Sequence, residues 1–266
     1  MTLCLAVKYP LSYLRNFPAP LEEAIIFLSD SRITYTDGTK DIVDKIIPIC
    51  KNAAVVIAGN ARFQLESILS IKQRLDESEN YPVDKIIDII EDCYQSKRSL
   101  YVNPPLIQTI VGIFDRSNNK SRLFKISIET GMRAKELITN GEMYFIGSEE
   151  FRQEFTKLEI EQAIKKQDGN YLAFYPLEWA NLFYRVFNEE FNVKKQDKTI
   201  GGIIQSACLY KDGFMWANHM GLSFDNNGEM VVLEKTVRKN DGWSRILQNN
   251  KEEKTYPLVE VLKELK

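Results

Sequence analysis

The stretch 45-KIIPICKNAAVVIAGNARFQLESILSIKQRL-75 predicts how the first half of this chain folds. Two runs rich in β-branched residues, Lys45–Cys50 and Ala53–Ala58, are separated by a short polar turn, which is typical of a β-hairpin. The small pair Gly59-Asn60 then precedes Ala61–Leu75, where apolar residues recur at helical spacing. The stretch therefore predicts two antiparallel strands that lead directly into a helix.

Strands are also expected before this stretch, and a second helix after it. Thr2–Lys8 and Ala24–Ser29 are short apolar runs that predict strands, and the proline-containing segment 9–23 between them predicts an inserted loop. Pro82–Lys97 predicts the second helix, since proline suits the first turn of a helix.

The rest of the chain repeats this clustering of strands and helices. Strands are predicted at 106–114, 122–128, 133–138, 143–146, 202–210, 214–218 and 230–233, and helices at 149–166 and 176–191. Clusters of strands alternating with pairs of helices favour layered packing over a βαβ arrangement. We therefore expect an α+β fold, a four-layer αββα sandwich, formed by a single domain over residues 1–266.

Composition excludes several classes of protein. The chain has 266 residues, of which 44% are hydrophobic and 27% charged, and this is ordinary globular composition. A net charge of −2 provides no field that would attract nucleic acid or an anionic membrane. No apolar run approaches the ~20 residues that span a bilayer, and the N-terminal sequence lacks the pattern of a signal peptide. We expect a cytoplasmic protein without nucleic-acid or membrane partners.

The rare residues limit the possible chemistry. His219 is the single histidine, and the four cysteines are far apart in sequence without a C-x-x-C pair. The sequence therefore predicts no metal site and no cofactor, and it argues against a histidine base. A hydrolase with this composition needs another base.

Five residues in the first sixty positions of the chain form a candidate active site. A lysine beside a carboxylate can be tuned for catalysis, so Asp30, Arg32 and Lys45 either belong to an active site or form an ion-pair set at strand ends. Gly59 either serves the chemistry or only makes a strand-to-helix turn. Thr2 would become the N-terminal residue if Met1 is removed, and an α-amine with a pKa near 8 can activate its own hydroxyl.

Several motifs occur in one order along the chain: Thr2 after Met1, S-D-S-R-x-T at 29–34, D-K-I at 44–46, A-G at 58–59, F-I-G-S at 145–148 and D-K-T-I-G-G at 197–202. In this order and spacing they resemble the proteasome β-type subunits of the N-terminal nucleophile (Ntn) hydrolase family. The start of the chain is most similar to the bacterial Anbu proteins (the ancestral beta subunit group) and less similar to HslV-type proteases. The resemblance covers nearly the whole chain, and the αββα sandwich of the family matches the predicted order of elements.

The resemblance implies a threonine-type hydrolase that cleaves peptide bonds. It implies that the Thr2 hydroxyl is the nucleophile, that Lys45 lowers the pKa of that site and that Asp30 orients Lys45. The backbone N–H of Gly59 would stabilise the oxyanion. The remaining catalytic residues, which would support the proton relay, are Ser148 and Asp197.

The same resemblance implies a peptide-binding strand and an apolar pocket. Arg32 belongs to this region, and the backbone at Thr34 would align an extended peptide by strand addition. The side chains predicted near the pocket are Ile33, Val43, Ile47, Ile57, Ala61 and Leu65. Because they are apolar, we expect a hydrophobic residue on the acyl side of the cleaved bond.

The expected partners are a peptide or unfolded-protein substrate and further copies of this chain, in a ring or an open helical array. An ATPase or adaptor partner is left open. Two alternative functions also remain: a catalytically silent structural or regulatory subunit of the same fold, and an Ntn amidase that acts on a small amide.

Overall fold

The structure of this chain is a computed structural model, and the description below is confined to the residues that it places. These are 3–10, 23–35, 38–41, 43–137, 143–147, 203–217, 219–224, 230–239, 242–247 and 252–255.

Within these ranges the chain forms sixteen strands and two helices. The strands are β1 Leu3–Pro10, β2 Glu23–Ser29, β3 Arg32–Tyr35, β4 Gly38–Asp41, β5 Ile46–Cys50, β6 Ala53–Gly59, β7 Ile107–Asp115, β8 Lys120–Ser127, β9 Lys135–Leu137, β10 Met143–Gly147, β11 Gln205–Tyr210, β12 Gly213–Trp216, β13 His219–Phe224, β14 Met230–Lys239, β15 Gly242–Leu247 and β16 Glu252–Lys254. The helices are α1 Ala61–Lys72 and α2 Val83–Arg98.

The strands build two five-stranded antiparallel sheets and two smaller ones. Sheet I has the order β10-β1-β2-β11-β12, and sheet II has the order β5-β6-β7-β8-β9. A C-terminal sheet contains β13 to β16 in sequence order, and β3 with β4 forms a separate hairpin. The predicted hairpin over 45–58 is confirmed as the β5–β6 pair, and both predicted helices of the first half are present.

Strand β6 is buried on both faces because its alternate residues belong to two different cores. Val55 and Ile57 pack in the cluster that sheet II forms with α1 and α2, together with Phe63 and Ile90. Val56 faces the other way, into the cluster between the two sheets. A strand that is covered on both faces is expected to be a continuous apolar run, as this one is.

The core between the sheets contains a close approach, where a glycine of sheet II lies against two large side chains of sheet I. Phe27 and Ile25 from β2 lie against Gly112 of β7. A Cβ atom added to Gly112 would lie 2.4 Å from Cζ of Phe27. The two sheets therefore approach closely at this point because residue 112 has no side chain.

We expect Gly112→Ala to lower the free energy of unfolding by about 1–3 kcal/mol, the usual cost of overpacking a core. Urea denaturation measures this change. The double variant Gly112→Ala/Phe27→Leu should recover part of the loss, because leucine removes the ring atoms that the new methyl group meets. Equal stabilities of the single and double variants would contradict this explanation.

The other face of sheet I is buried as well. Leu5 and Val7 of β1, and Ile26 and Leu28 of β2, alternate with the residues of the inter-sheet core, and each is at most 1% exposed. Strands β1 and β2 of sheet I are thus buried on both faces, like the central strands of sheet II.

The predicted four-layer αββα sandwich is wrong. The described residues form mostly antiparallel sheets with only two short helices, both of which pack on sheet II. The helices predicted at 149–166 and 176–191 lie outside the described residues.

The prediction failed in part because the C-terminal region contains far more strand than its sequence pattern indicated. Strands β13, β15 and β16 were not expected, and β14 is ten residues long where a strand was predicted only over 230–233. Charged residues such as Lys235 and Arg238 interrupt the apolar pattern there, whereas antiparallel pairing is made by backbone groups that every residue carries.

Two smaller differences concern loops. Tyr9, Pro10 and Glu23 extend the β1–β2 pair into the predicted loop, while residues 11–22 lie outside the described part. The β3–β4 hairpin was not predicted, although the sequence Asp37-Gly38 is typical of a turn. Among the described residues, no helix combines the length and apolar character needed to cross a membrane.

Candidate active site

The candidate site lies at one end of sheet I. Ser29 is the last residue of β2, and it lies opposite Cys4 near the start of β1 and opposite Gln205 at the start of β11. Because neighbouring strands are antiparallel, the end of β2 meets the beginnings of β1 and β11 at the same edge. Asp30 follows β2 directly, so its carboxylate lies at this end of the sheet.

A buried ion pair joins the two sheets here. Lys45, which immediately precedes β5 of sheet II, places its Nζ 2.7 Å from Oδ1 of Asp30. The two side chains are 5% and 0% exposed. The second carboxylate oxygen accepts a hydrogen bond from the backbone N–H of Arg32 at 3.3 Å. A pair that is withdrawn from water in this way holds an ammonium group at a defined position.

The backbone of Lys45 is held by the side chain of Gln205. Oε1 of Gln205 accepts hydrogen bonds from the backbone N–H of Lys45 at 2.8 Å and of Ile46 at 3.4 Å. Nε2 of the same side chain donates to the carbonyl oxygen of Val43 at 2.7 Å. The carbonyl of Lys45 accepts from the backbone N–H of Ile57 at 3.1 Å, which connects this residue to β6.

The serines on both sides of Asp30 are buried and make local bonds. The Ser29 hydroxyl donates to the carbonyl oxygen of Asp30 at 2.7 Å. The Ser31 hydroxyl accepts from the backbone N–H of Ile203 at 2.8 Å, and the Ser31 carbonyl accepts from the N–H of Val43 at 3.2 Å. The Ser-Asp-Ser sequence therefore fixes the path of the chain at the point where it leaves sheet I.

Gly59 forms a tight turn between β6 and α1. Its φ is +98°, and a Cβ atom there would lie 2.2 Å from the carbonyl oxygen of Leu106 and 2.9 Å from Cα of Ile107. The next residue, Asn60, donates its backbone N–H to that Leu106 carbonyl, and its side chain accepts from the N–H of Phe63 as the N-cap of α1. Only glycine fits this turn, and the residue itself is exposed.

A buried polar network holds the strand next to Gly59. Gln64 of α1 donates to the carbonyl oxygens of Ala58 at 2.9 Å and of Gln108 at 3.0 Å. The hydroxyl of Tyr94 on α2 donates to Oε1 of Gln64, and it lies 2.9 Å from the hydroxyl of Thr109 on β7. Both helices are thus tied to the end of β6 by hydrogen bonds that are shielded from water.

Cys4 lies beside the ion pair but remains protonated. Burial raises the pKa of its thiol to about 12, and the positive charge of Lys45 opposes that shift only in part. The thiol therefore contributes neither a charge nor a nucleophile at neutral pH.

The structure brings together some of the predicted catalytic residues. Asp30 and Lys45 are in direct contact, and Gly59 is two residues beyond Ile57, whose N–H binds the Lys45 carbonyl. The other three predicted residues, Thr2, Ser148 and Asp197, lie outside the described residues. Leu3, which follows Thr2, and Gly147, which precedes Ser148, lie opposite each other in the β1–β10 pair.

Most of the predicted substrate-binding side chains belong to the core. Four of them are at most 4% exposed in the cluster between sheet II and the helices: Val43, Ile47, Ile57 and Leu65. Ala61 is partly buried and packs against the same cluster. Arg32 is half-buried. Ile33 and Thr34 lie in β3, where Thr34 pairs with Thr39 of β4. Contact of these residues with a substrate remains a prediction.

Sequence reasoning missed the glutamines that organise the site, Gln64, Gln108 and Gln205. Gln108 is 6% exposed and accepts from the backbone N–H of Gly147 at 2.9 Å, so it links sheet II to the end of β10. Gln108 and Gln205 each interrupt an apolar run predicted to be a strand. An uncharged amide in such a run is a usable signal, because a buried amide must find hydrogen-bond partners.

No protein-family model matches this chain, and no curated protein matches it. The case for a function thus depends on the geometry of the site and on the motifs of the sequence.

Proposed function

We propose that this protein is a threonine-type N-terminal nucleophile hydrolase that cleaves peptide bonds with Thr2, once Met1 has been removed. The observation that carries the proposal is the buried pair of Lys45 and Asp30, whose Nζ–Oδ1 distance is 2.7 Å. A fixed, desolvated ammonium group beside a free α-amine favours the neutral form of that amine, which is the form that acts as a base.

The register of sheet I supports the placement of the nucleophile near this pair. Thr2 is bonded to Leu3, the first residue of β1, and the next residue, Cys4, lies opposite Ser29, which precedes Asp30. The charges of both Lys45 and Asp30 act on the Cys4 thiol, so the start of β1 is close to the pair.

In the proposed reaction the hydroxyl of Thr2 attacks the carbonyl carbon of the peptide bond. The α-amine of the same residue accepts the hydroxyl proton and later gives it to the leaving amine. The backbone N–H of Gly59 donates to the oxyanion that forms. Water then hydrolyses the resulting ester, with the α-amine again acting as the base. Ser148 and Asp197 are proposed to support the proton relay.

The positive φ of Gly59 suits the proposed oxyanion role. A turn that only glycine can make brings the backbone to the surface without a side chain, so a substrate carbonyl can approach it closely. The network of Gln64, Tyr94 and Thr109 holds the preceding residue, which keeps such a donor in place.

The proposal concerns the site and does not require the four-layer architecture predicted from the sequence. Chemistry is determined by the groups that meet at a site, and the same chemistry occurs on different folds. We further propose a peptide or unfolded-protein substrate with an apolar residue on the acyl side, a cytoplasmic location, and assembly of the chain into a homo-oligomer.

The test is the intact mass of untagged protein before and after incubation with a peptidyl epoxyketone, which forms a ring with both the hydroxyl and the amine of an N-terminal threonine. We expect loss of Met1 and a single adduct. Thr2→Ser should keep the adduct, since serine has the same two groups, and Thr2→Ala should abolish it.

Two results would overturn the proposal. A retained Met1 without an adduct would favour a catalytically silent subunit, and an adduct that persists in Thr2→Ala would place the nucleophile elsewhere. An adduct on Thr2 without cleavage of any peptide in a library would retain the nucleophile and point to a small amide as substrate.

A further inference from the structure

Lys45 is attached to sheet I at two separate points. The side chain of Lys45 reaches Asp30, which follows β2, and its backbone N–H reaches the side chain of Gln205 on the adjacent strand β11. Asp30 and Gln205 are neighbours across sheet I, since Gln205 lies opposite Ser29 in the register. One sheet thus holds both the charged end and the backbone of a lysine that belongs to the other sheet.

The segment that precedes β5 needs such a support. Residues 44 and 45 lie outside any strand, and although the Lys45 carbonyl is bonded to the N–H of Ile57 in β6, the Lys45 N–H meets the Gln205 side chain instead of a strand backbone. A primary amide contains a carbonyl and an N–H group, as a peptide unit does, and Gln205 uses both: it accepts from Lys45 and Ile46 and donates to Val43. Its side chain therefore replaces a missing strand neighbour.

The chemistry of the contact also determines the orientation of the amide. The N–H groups of Lys45 and Ile46 face one terminal atom of the Gln205 side chain, and the carbonyl oxygen of Val43 faces the other. The first atom must therefore be the amide oxygen and the second the amide nitrogen. Gln205 is 0% exposed, and the three groups it binds are separated from it by about 160 positions in the sequence. Such a contact is specific to the folded state.

We infer that Gln205 is a positioning residue for the proposed hydrolase: it fixes the backbone of Lys45 so that the ammonium group stays at the site formed with Asp30. This inference depends on the proposed function for its catalytic consequence, but its structural part does not. The charge of Lys45 acts on both Asp30 and Cys4, while the neighbouring Asp44 is paired with Arg238.

The variants Gln205→Met and Gln205→Asn separate shape from hydrogen bonding. Methionine has a similar length but can make none of the three hydrogen bonds. Asparagine keeps the uncharged amide but is one methylene shorter, so it cannot reach all three backbone groups. Ser206→Ala is the matched control, because Ser206 lies next to Gln205 on β11 and is also 0% exposed. This variant loses the 2.6 Å hydrogen bond that the Ser206 hydroxyl donates to the Ala217 carbonyl.

The first measurement is the NMR signal of Lys45 in protein labelled with ¹³C at lysine Cε, assigned by its loss in Lys45→Arg. We expect Gln205→Met and Gln205→Asn both to shift this signal, with Ser206→Ala unchanged. If Gln205→Met does not fold, Gln205→Asn alone decides. A Lys45 signal that is the same in the Gln205 variants as in the unmodified protein, or that moves as much in Ser206→Ala, would overturn the inference.

The second measurement is the rate of adduct formation with a peptidyl epoxyketone. A displaced ammonium group should lower the rate constant of the chemical step by about tenfold to hundredfold in Gln205→Met. The epoxyketone concentration that gives the half-maximal rate should stay the same. A change in that concentration alone would contradict a positioning role. If the unmodified protein forms no adduct, the proposed function fails, and the Lys45 signal still decides whether Gln205 positions this lysine.

Discussion

Asp30→Asn is expected to lower the free energy of unfolding by about 3–5 kcal/mol, because the variant leaves the Lys45 ammonium buried without the carboxylate that balances its charge. Lys45→Met should have a similar effect for the opposite reason, since it leaves the Asp30 carboxylate at 0% exposure without the ammonium. Each single variant should also lose adduct formation with a peptidyl epoxyketone. Urea denaturation of both variants measures the loss of stability.

The double variant Asp30→Asn/Lys45→Met tests whether the cost arises from an unpaired charge. It removes both charges, so its loss of stability should be smaller than the sum of the two single losses, by about 1–3 kcal/mol. The exposed pair of Arg62 and Glu66 on α1 is the control, and alanine at Arg62 should leave stability without a measurable change. Strict additivity of the two single variants would show that Lys45 and Asp30 do not stabilise each other.

Gly59→Ala is expected to destabilise the protein by about 3 kcal/mol or more, through two effects that add. The backbone has a φ of +98°, which is strained for any residue with a side chain. The new methyl group would also lie 2.2 Å from the carbonyl oxygen of Leu106, a backbone atom that cannot move without disturbing β7. Thermal and urea unfolding measure the loss.

Gly131→Ala is the matched control for this prediction. Gly131 has a φ of +64°, but a Cβ atom there would have nothing within 4 Å. It should therefore cost only the conformational term, about 1 kcal/mol. The difference between the two variants measures the contact with Leu106 together with the additional strain of the larger φ at Gly59, and equal losses would show that neither constrains the turn.

The local structure around the site could be predicted from the sequence because short-range patterns determine it. The β5–β6 hairpin, the glycine turn and the two helices follow from β-branched runs, a polar turn, and apolar spacing within residues 46–98. Asp30 and Lys45 were likewise recognised as candidates from residue type and position. Their contact at 2.7 Å is what the structure adds.

The architecture could not be predicted in the same way. The C-terminal sheet is held by backbone pairing between strands such as β14 and β15, whose side chains include many charges, so the apolar pattern did not reveal them. An element order that suggested alternating layers was therefore compatible with a fold whose described residues lie mostly in sheets.

The sequence by itself determined the local elements, the strand-to-helix turn at Gly59 and the choice of a lysine and a carboxylate as candidate catalytic groups, because each depends on nearby residues or on residue type. Only the tertiary structure decided that Lys45 is held at both ends by sheet I, through Asp30 and through Gln205. These contacts join residues 15 and 160 positions apart. The physical reason is that a buried charge or amide takes its partners from whatever the packed sheets bring within about 3 Å, and no local pattern in the chain specifies which distant residue that will be.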